Sequence, residues 1–132
     1  MRLRSILAGA AALAMLAAPA LAEEYLGGAV KTVDIGGQQV LTDADGMTLY
    51  IFDKDTAGDG KSVCNGDCAV KWPPLMAADD AQDEGDFTVV TRDDGSKMWA
   101  HEGMPLYYWY EDTEPGDTSG DGVGGVWHLA VD

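Results

Sequence analysis

The chain has 132 residues, with 23 Asp and Glu against eight Lys and Arg and a net charge of −15. Such a field repels nucleic acid and anionic lipid head groups, so neither is an expected partner. The length suits one domain with a modest core, and two cysteines are all that is available to staple it.

Residues 1–22 have the pattern of a secretory signal. Arg2 and Arg4 open it, residues 6–16 are an apolar run, and Ala20-Leu21-Ala22 offers small residues to a signal peptidase before Glu23-Glu24. The apolar run is short, Pro19 interrupts it and acid follows, which argues against a transmembrane segment. An uncleaved amino-terminal anchor is the alternative. No Cys stands at the cleavage point, so no lipid anchor is expected. Removing the leader sets 23 acidic residues against six basic ones, a net charge of about −17. The expected location is periplasmic or secreted.

In the exported part, residues 30–35 and 38–42 read as strands around Gly36-Gly37, a hairpin signal. Asp43 to Gly46 turns the chain again, and residues 47–52 form a third strand. An Asp- and Gly-rich loop then leads to Cys64-x-x-x-Cys68, where Asp67 is placed to cap one helical turn over 68–71, ended by Pro73-Pro74. Residues 77–86 are acidic and poor in apolar side chains, an exposed connector. Residues 87–91 and 97–100 read as a second hairpin and 104–110 as its third strand, with Pro105 near a strand start or on an edge. A second acidic, glycine-rich loop leads to a last strand over 126–130.

The third strands carry a repeated phrase. Gly46-Met47-Thr48-Leu49-Tyr50-Ile51-Phe52-Asp53-Lys54-Asp55-Thr56 returns as Gly103-Met104-Pro105-Leu106-Tyr107-Tyr108-Trp109-Tyr110-Glu111-Asp112-Thr113. Self-similarity of this kind implies two copies of one supersecondary unit, over about 30–76 and 87–131. Two units of this size cannot each bury a core. The expected fold is therefore all-β: a single small domain of two similar β-meander repeats, arranged as a pseudo-twofold pair of sheets or a barrel-like closed sheet. Tyr50 and Phe52 point to one face of their strand and Leu49 and Ile51 to the other, so the strand should be covered on both sides.

Tyr50-x-Phe52-x-x-Asp55 and Tyr107-x-Trp109-x-x-Asp112 resemble the Tyr-x-aromatic-x-x-Asp signature of a bacterial family of secreted repeats and predicted lipoproteins. Cys64 to Cys68 followed by Trp72-Pro73-Pro74-Leu75, and Gly122 to His128, are similar to the same family's pattern. The resemblance spans nearly the whole exported chain. It implies an exported tandem-repeat protein and names no activity. The chain departs from the lipoprotein-like relatives in lacking the lipidation Cys.

The site candidates follow from these motifs. Tyr50, Phe52, Tyr107 and Trp109 fill a core or line an aromatic groove; in a binding module Tyr107, Tyr108, Trp109 and Tyr110 would face a small ligand or an envelope protein. Asp55 and Asp112 are placed to accept backbone N–H groups of their own loops. Cys64 and Cys68, exported to an oxidising compartment, should form a structural disulfide. Asp53, Asp55 and Asp59, and Asp112, Asp117 and Asp121, are weak candidates for calcium, because their spacing fits no EF-hand loop. Met47, Met76, Met98 and Met104 with His101 and His128 offer a donor set for copper. The favoured function is an exported, non-catalytic envelope protein that binds or builds, a monomer without a required cofactor. Metal handling is the alternative. An enzyme of unknown chemistry comes third, because Ser62, Ser96 and Ser119 lie in polar loops without a nucleophile-elbow context.

Overall fold

The structure is a computed structural model that describes residues 22–132. The expected leader, apart from Ala22, lies outside the described residues. Strands β1 (Glu24–Tyr25), β2 (Val30–Ile35) and β3 (Gln38–Asp43) form one antiparallel sheet in that order. Gly36 and Gly37 turn β2 into β3 at φ +60° and +87°, angles that only glycine adopts without strain. After β4 (Tyr50–Phe52) and the helical turn α1 (Asp67–Lys71), the second half builds β5 (Phe87–Thr91), β6 (Lys97–His101) and β7 (Met104–Pro105), again in order. Strand β8 (Trp127–Leu129) ends the fold and pairs with β4, joining the halves. The sheets do not close into a barrel; there are three of them, the two three-stranded meanders and the β4–β8 pair between the halves.

The two repeats exchange their tails. Leu75, near the end of the first repeat, donates its N–H to the Leu106 carbonyl at 2.9 Å and accepts from the Trp99 N–H at 2.9 Å. Ala130, in the corresponding place of the second repeat, donates to the Leu49 carbonyl at 2.9 Å and accepts from the Leu41 N–H at 2.8 Å. Bridges Met76–Met98 and Val40–Val131 extend both exchanges. Each meander is thus completed by the last segment of the other.

The pseudo-twofold axis passes between Tyr50 and Tyr107. Their backbones form an antiparallel pair, with Tyr50 N–H on Tyr107 O at 2.8 Å and Tyr107 N–H on Tyr50 O at 2.9 Å. Side chains alternate from this pair to two cores. One gathers Tyr50, Phe52, Trp72, Met98, Tyr107 and Trp127; the other gathers Val30, Leu41, Leu49, Leu75, Phe87 and Leu106. The central segments are covered on both faces, as their apolar alternation predicts.

The third strands are shorter than expected. Of residues 47–52 only Tyr50–Phe52 is a strand, and of 104–110 only Met104–Pro105, followed by an isolated bridge at Tyr107. In the second copy the cause is the partner segment. Tyr108 N–H reaches Pro73 O at 2.7 Å and Tyr110 N–H reaches Lys71 O at 2.9 Å, but prolines have no N–H to return a bond. Pro105 lies in the edge strand, where its missing donor costs nothing. Asp67 is the first residue of α1 and not its cap; Gly66 holds the cap position at φ +61° without a side-chain bond. There the Asp67 carboxylate faces the positive end of the short helix.

Candidate functional site

The glycines, leucines, tyrosines, aromatics and aspartates repeated in the doubled phrase each have a physical role within this chain. Gly46 and Gly103 lie at φ +90° and +85°, and each is covered by the other repeat's long loop. A Cβ on Gly103 would stand 2.6 Å from the Gly58 nitrogen, and one on Gly46 would stand 3.1 Å from Pro115 Cβ. Leu49 and Leu106 receive the exchanged tails. The tyrosines and aspartates then lock across the axis.

Tyr107 Oη donates to Asp55 Oδ2 at 2.7 Å, and Tyr50 Oη donates to Asp112 Oδ2 at 2.6 Å. The tyrosine of each repeat therefore binds the aspartate of the other. The second oxygen of each carboxylate ties its own loop: Asp55 Oδ1 accepts from the Val63 N–H at 2.8 Å, and Asp112 Oδ1 accepts from the Ser119 N–H at 3.0 Å and hydroxyl at 2.6 Å. The expected loop tie is present, but it is half of the role. Burial pushes the Asp55 carboxyl above its ordinary range, opposed by the Tyr107 hydroxyl and the Val63 N–H. Burial, and then the hydrogen bond to a carboxylate, push both phenols up.

The two locks differ in what stands behind them. Because the Tyr107 proton goes to Asp55, Ser62 Oγ donates to Tyr107 Oη at 2.6 Å. Ser62 in turn accepts from Arg92 Nη1 at 3.1 Å, while Arg92 Nη2 reaches the Cys64 carbonyl at 2.9 Å and Asn65 Oδ1 at 3.1 Å. Arg92 is buried, and its charge faces Asp55 through two hydroxyls. In the other lock a backbone group replaces this chain: the Gly120 N–H donates to Tyr50 Oη at 3.1 Å. Arg92 and Ser62 were not among the sequence candidates. The available signal was that Arg92 is the sole arginine after the leader, ending the apolar run 87–91. Arginine is the cation suited to several fixed acceptors in a buried site.

The motif aromatics form a column with the tryptophans that end each repeat. Phe52 stacks on Trp127 at 4.1 Å, Trp127 on Trp72 at 3.7 Å and Trp72 on Trp109 at 4.2 Å between ring centroids. The order is symmetric, with each motif aromatic against the other repeat's tryptophan. Each such pair contributes about 0.5–1.5 kcal/mol beyond the area it buries. Gly120 lies flat against the column, where a Cβ would stand 2.8 Å from Trp109. The four-ring face expected at a partner surface is not formed: Tyr107 is fully buried, Tyr108 and Trp109 are half-buried, and Tyr110 is exposed.

Cys64 and Cys68 are bonded, and the loop they close carries the carbonyl that anchors Arg92. The acidic loop residues serve their own turns or a neighbouring strand. Asp59 accepts from Lys61 N–H, Asp117 from the Thr113 and Glu114 N–H groups, and Asp121 from Leu129 N–H. Asp53 meets His128 Nε2 at 2.8 Å. Neither acidic triad converges. Of the thioether and imidazole candidates, His101 and Met104 are register partners and line one cleft with Glu102, whereas Met98 lies under Arg92 and His128 is taken by Asp53. Among the described residues, one His/carboxylate group of three has ligand atoms within 4.8 Å of one another: Asp86, His101 and Glu102. Asp86 and Glu102 were not candidates, since they are adjacent only through the β5–β6 register that sets Phe87 opposite His101.

No helix among the described residues is long and apolar enough to cross a membrane. No curated protein and no solved structure matches the chain. Two stretches, residues 30–76 and 88–131, each match a family described as a secreted repeat of unknown function. These are the two units that exchange tails and lock through Tyr50, Asp112, Tyr107 and Asp55, and the chain belongs to that family of secreted repeats.

Proposed function

We propose that the protein is an exported, non-catalytic envelope component that acts as a binding or structural module. The observation that carries this reading is the use made of the motif: Tyr50, Tyr107, Asp55, Asp112 and Ser62 are all buried and bonded to one another or to their loops. A hydroxyl nucleophile needs a base within hydrogen-bond reach. Ser62 instead faces a guanidinium and a phenol, the carboxylate that the Ser119 hydroxyl reaches is the buried Asp112 already held by Tyr50, and both thiols are joined. What the interlocked halves offer outward includes Tyr110 and Val70, both exposed where the Tyr110 N–H meets the Lys71 carbonyl.

The test is a photo-reactive residue in place of Tyr110 in intact cells, paired with turnover assays of the purified protein on ester, peptide, glycoside and redox substrates. A discrete adduct without turnover is expected. Turnover that is abolished by Ser62→Ala or His101→Asn overturns the non-catalytic reading.

A further inference from the structure

His101 is the end of β6 and only 5 % exposed. Its ring packs against Phe87, with centroids 4.9 Å apart. The imidazole has no hydrogen bond to any described residue; its nearest acidic neighbour is Asp132, whose Oδ1 is 3.7 Å from Nε2. It lines a cavity of about 260 Å³ with Tyr25, Glu84, Asp86, Phe87 and Asp132. Tyr25 Oη donates to the other oxygen of Asp132, fixing that carboxylate beside the imidazole.

Asp86 and Glu102 stand on either side of the Phe87–His101 pair, held together by the Glu102 N–H on the Asp86 carbonyl at 2.9 Å. Their side chains are exposed and accept no hydrogen bond from any described residue. The loop acids are different, since Asp59, Asp112, Asp117 and Asp121 each hold backbone N–H groups. One ligand atom each from Asp86, His101 and Glu102 lies within 4.8 Å of the others. An ion bound at about 2.1 Å from each donor keeps donors no more than about 4.2 Å apart. Small rotations of the two exposed carboxylates close that difference, while the buried ring stays fixed.

We propose that Asp86, His101 and Glu102, with Asp132 beside them, form a binding site for a divalent first-row transition ion of the zinc class. One imidazole with carboxylates suits such an ion better than calcium, which takes oxygen ligands. Two observations meet here: a buried imidazole that makes no hydrogen bond and faces a cavity, and two exposed carboxylates that accept none, Asp86 on that cavity and Glu102 on the adjoining cleft that His101 also lines. The strongly negative chain draws cations toward the site.

The experiment is a Zn²⁺ titration of the exported protein, read by native mass spectrometry and by the His101 imidazole resonances. One ion per chain and movement of the His101 signals, not those of His128, are expected. The double variant Asp86→Asn, Glu102→Gln alters only exposed side chains and should weaken Zn²⁺ at least tenfold with an unchanged melting temperature in chelator. The variant Asp59→Asn, Asp121→Asn should bind as the parent does. Unchanged affinity in the first variant, loss in the second instead, or no binding at all would each overturn the site.

Discussion

Tyr107 and Asp55 belong to different repeats, 52 positions apart, and meet through a buried hydroxyl–carboxylate bond of 2.7 Å. The mirror bond joins Tyr50 to Asp112 at 2.6 Å. In this chain the repeated Tyr-x-aromatic-x-x-Asp phrase is therefore a lock between copies, and its energetics can be measured pair by pair.

Tyr107→Phe and Asp55→Ala should each destabilise the protein by about 1–3 kcal/mol, because each leaves a buried polar partner unsatisfied. A double-mutant cycle in urea should give a coupling of about 0.5–3 kcal/mol for Tyr107 with Asp55 and for Tyr50 with Asp112. The crossed combination, Tyr107 with Asp112, should add independently. Coupling within the same repeat, in place of across repeats, contradicts the lock.

All five tyrosines have raised pKa values, Tyr25 to about 12 through its hydrogen bond to Asp132. A folded-state pKa above the unfolded value means that the native state holds the proton more tightly. The stabilisation is complete below about pH 10 and is lost as pH rises toward the folded values. Tyrosinate absorbance should therefore stay low through pH 10 and rise together with alkaline unfolding. Stepwise ionisation in the native state would show the phenols to be unconstrained.

Asp55 carries the same sign at acid pH, since burial raises it. Its contribution is present below the unfolded value of about 3.9 and is lost as pH rises through the folded value. The advantage of the parent over Asp55→Asn in urea should thus be largest in acid and shrink toward neutrality. A difference independent of pH from 3 to 7 would contradict a raised carboxyl.

Gly120→Ala places a methyl carbon against the Trp109 and Trp72 rings, at separations of 2.8 and 3.0 Å before relaxation. Gly120 itself has no positive φ, so the effect is steric alone. A loss of about 1–3 kcal/mol with a changed near-ultraviolet circular dichroism of the tryptophan column is expected. Gly116→Ala, where nothing lies within 4 Å, should leave the column signal intact and show only the cost of its φ of +90°.

Replacing both cysteines by serine should cost roughly 2 kcal/mol by loop-closure entropy alone. The measured loss should be greater, because the same loop presents the Cys64 carbonyl to Arg92 Nη2. A loss in the double-serine variant that is unchanged when Arg92 is also replaced by methionine would separate the two roles.

Local chemistry in the sequence located most elements. The hairpins at 30–35/38–42 and 87–91/97–100 are near their observed bounds because their signals, alternation and glycine turns, act over a few residues. The two-faced burial of Tyr50 and Phe52 against Leu49 and Ile51 was legible for the same reason. Partnership across the axis was not. Nothing local in Asp55 distinguishes a carboxylate that ties its own loop from one that also receives Tyr107, and nothing near Leu75 announces that it lies between Leu106 and Trp99. Asp86 and His101 are 15 positions apart in sequence and become neighbours only through strand register.

The exchange of Leu75 and Ala130 between meanders has a consequence for assembly. A chain carrying one copy would keep an open gap where its partner's tail belongs, and an unplaced tail of its own. Both are satisfied at once by a second copy related by a twofold axis through the central tyrosine pair. In topology the present protein is such a homodimer written as a single chain. Its linker, residues 77–86, sets the two copies at high effective concentration, so that association is unimolecular and does not depend on how dilute the exported protein becomes.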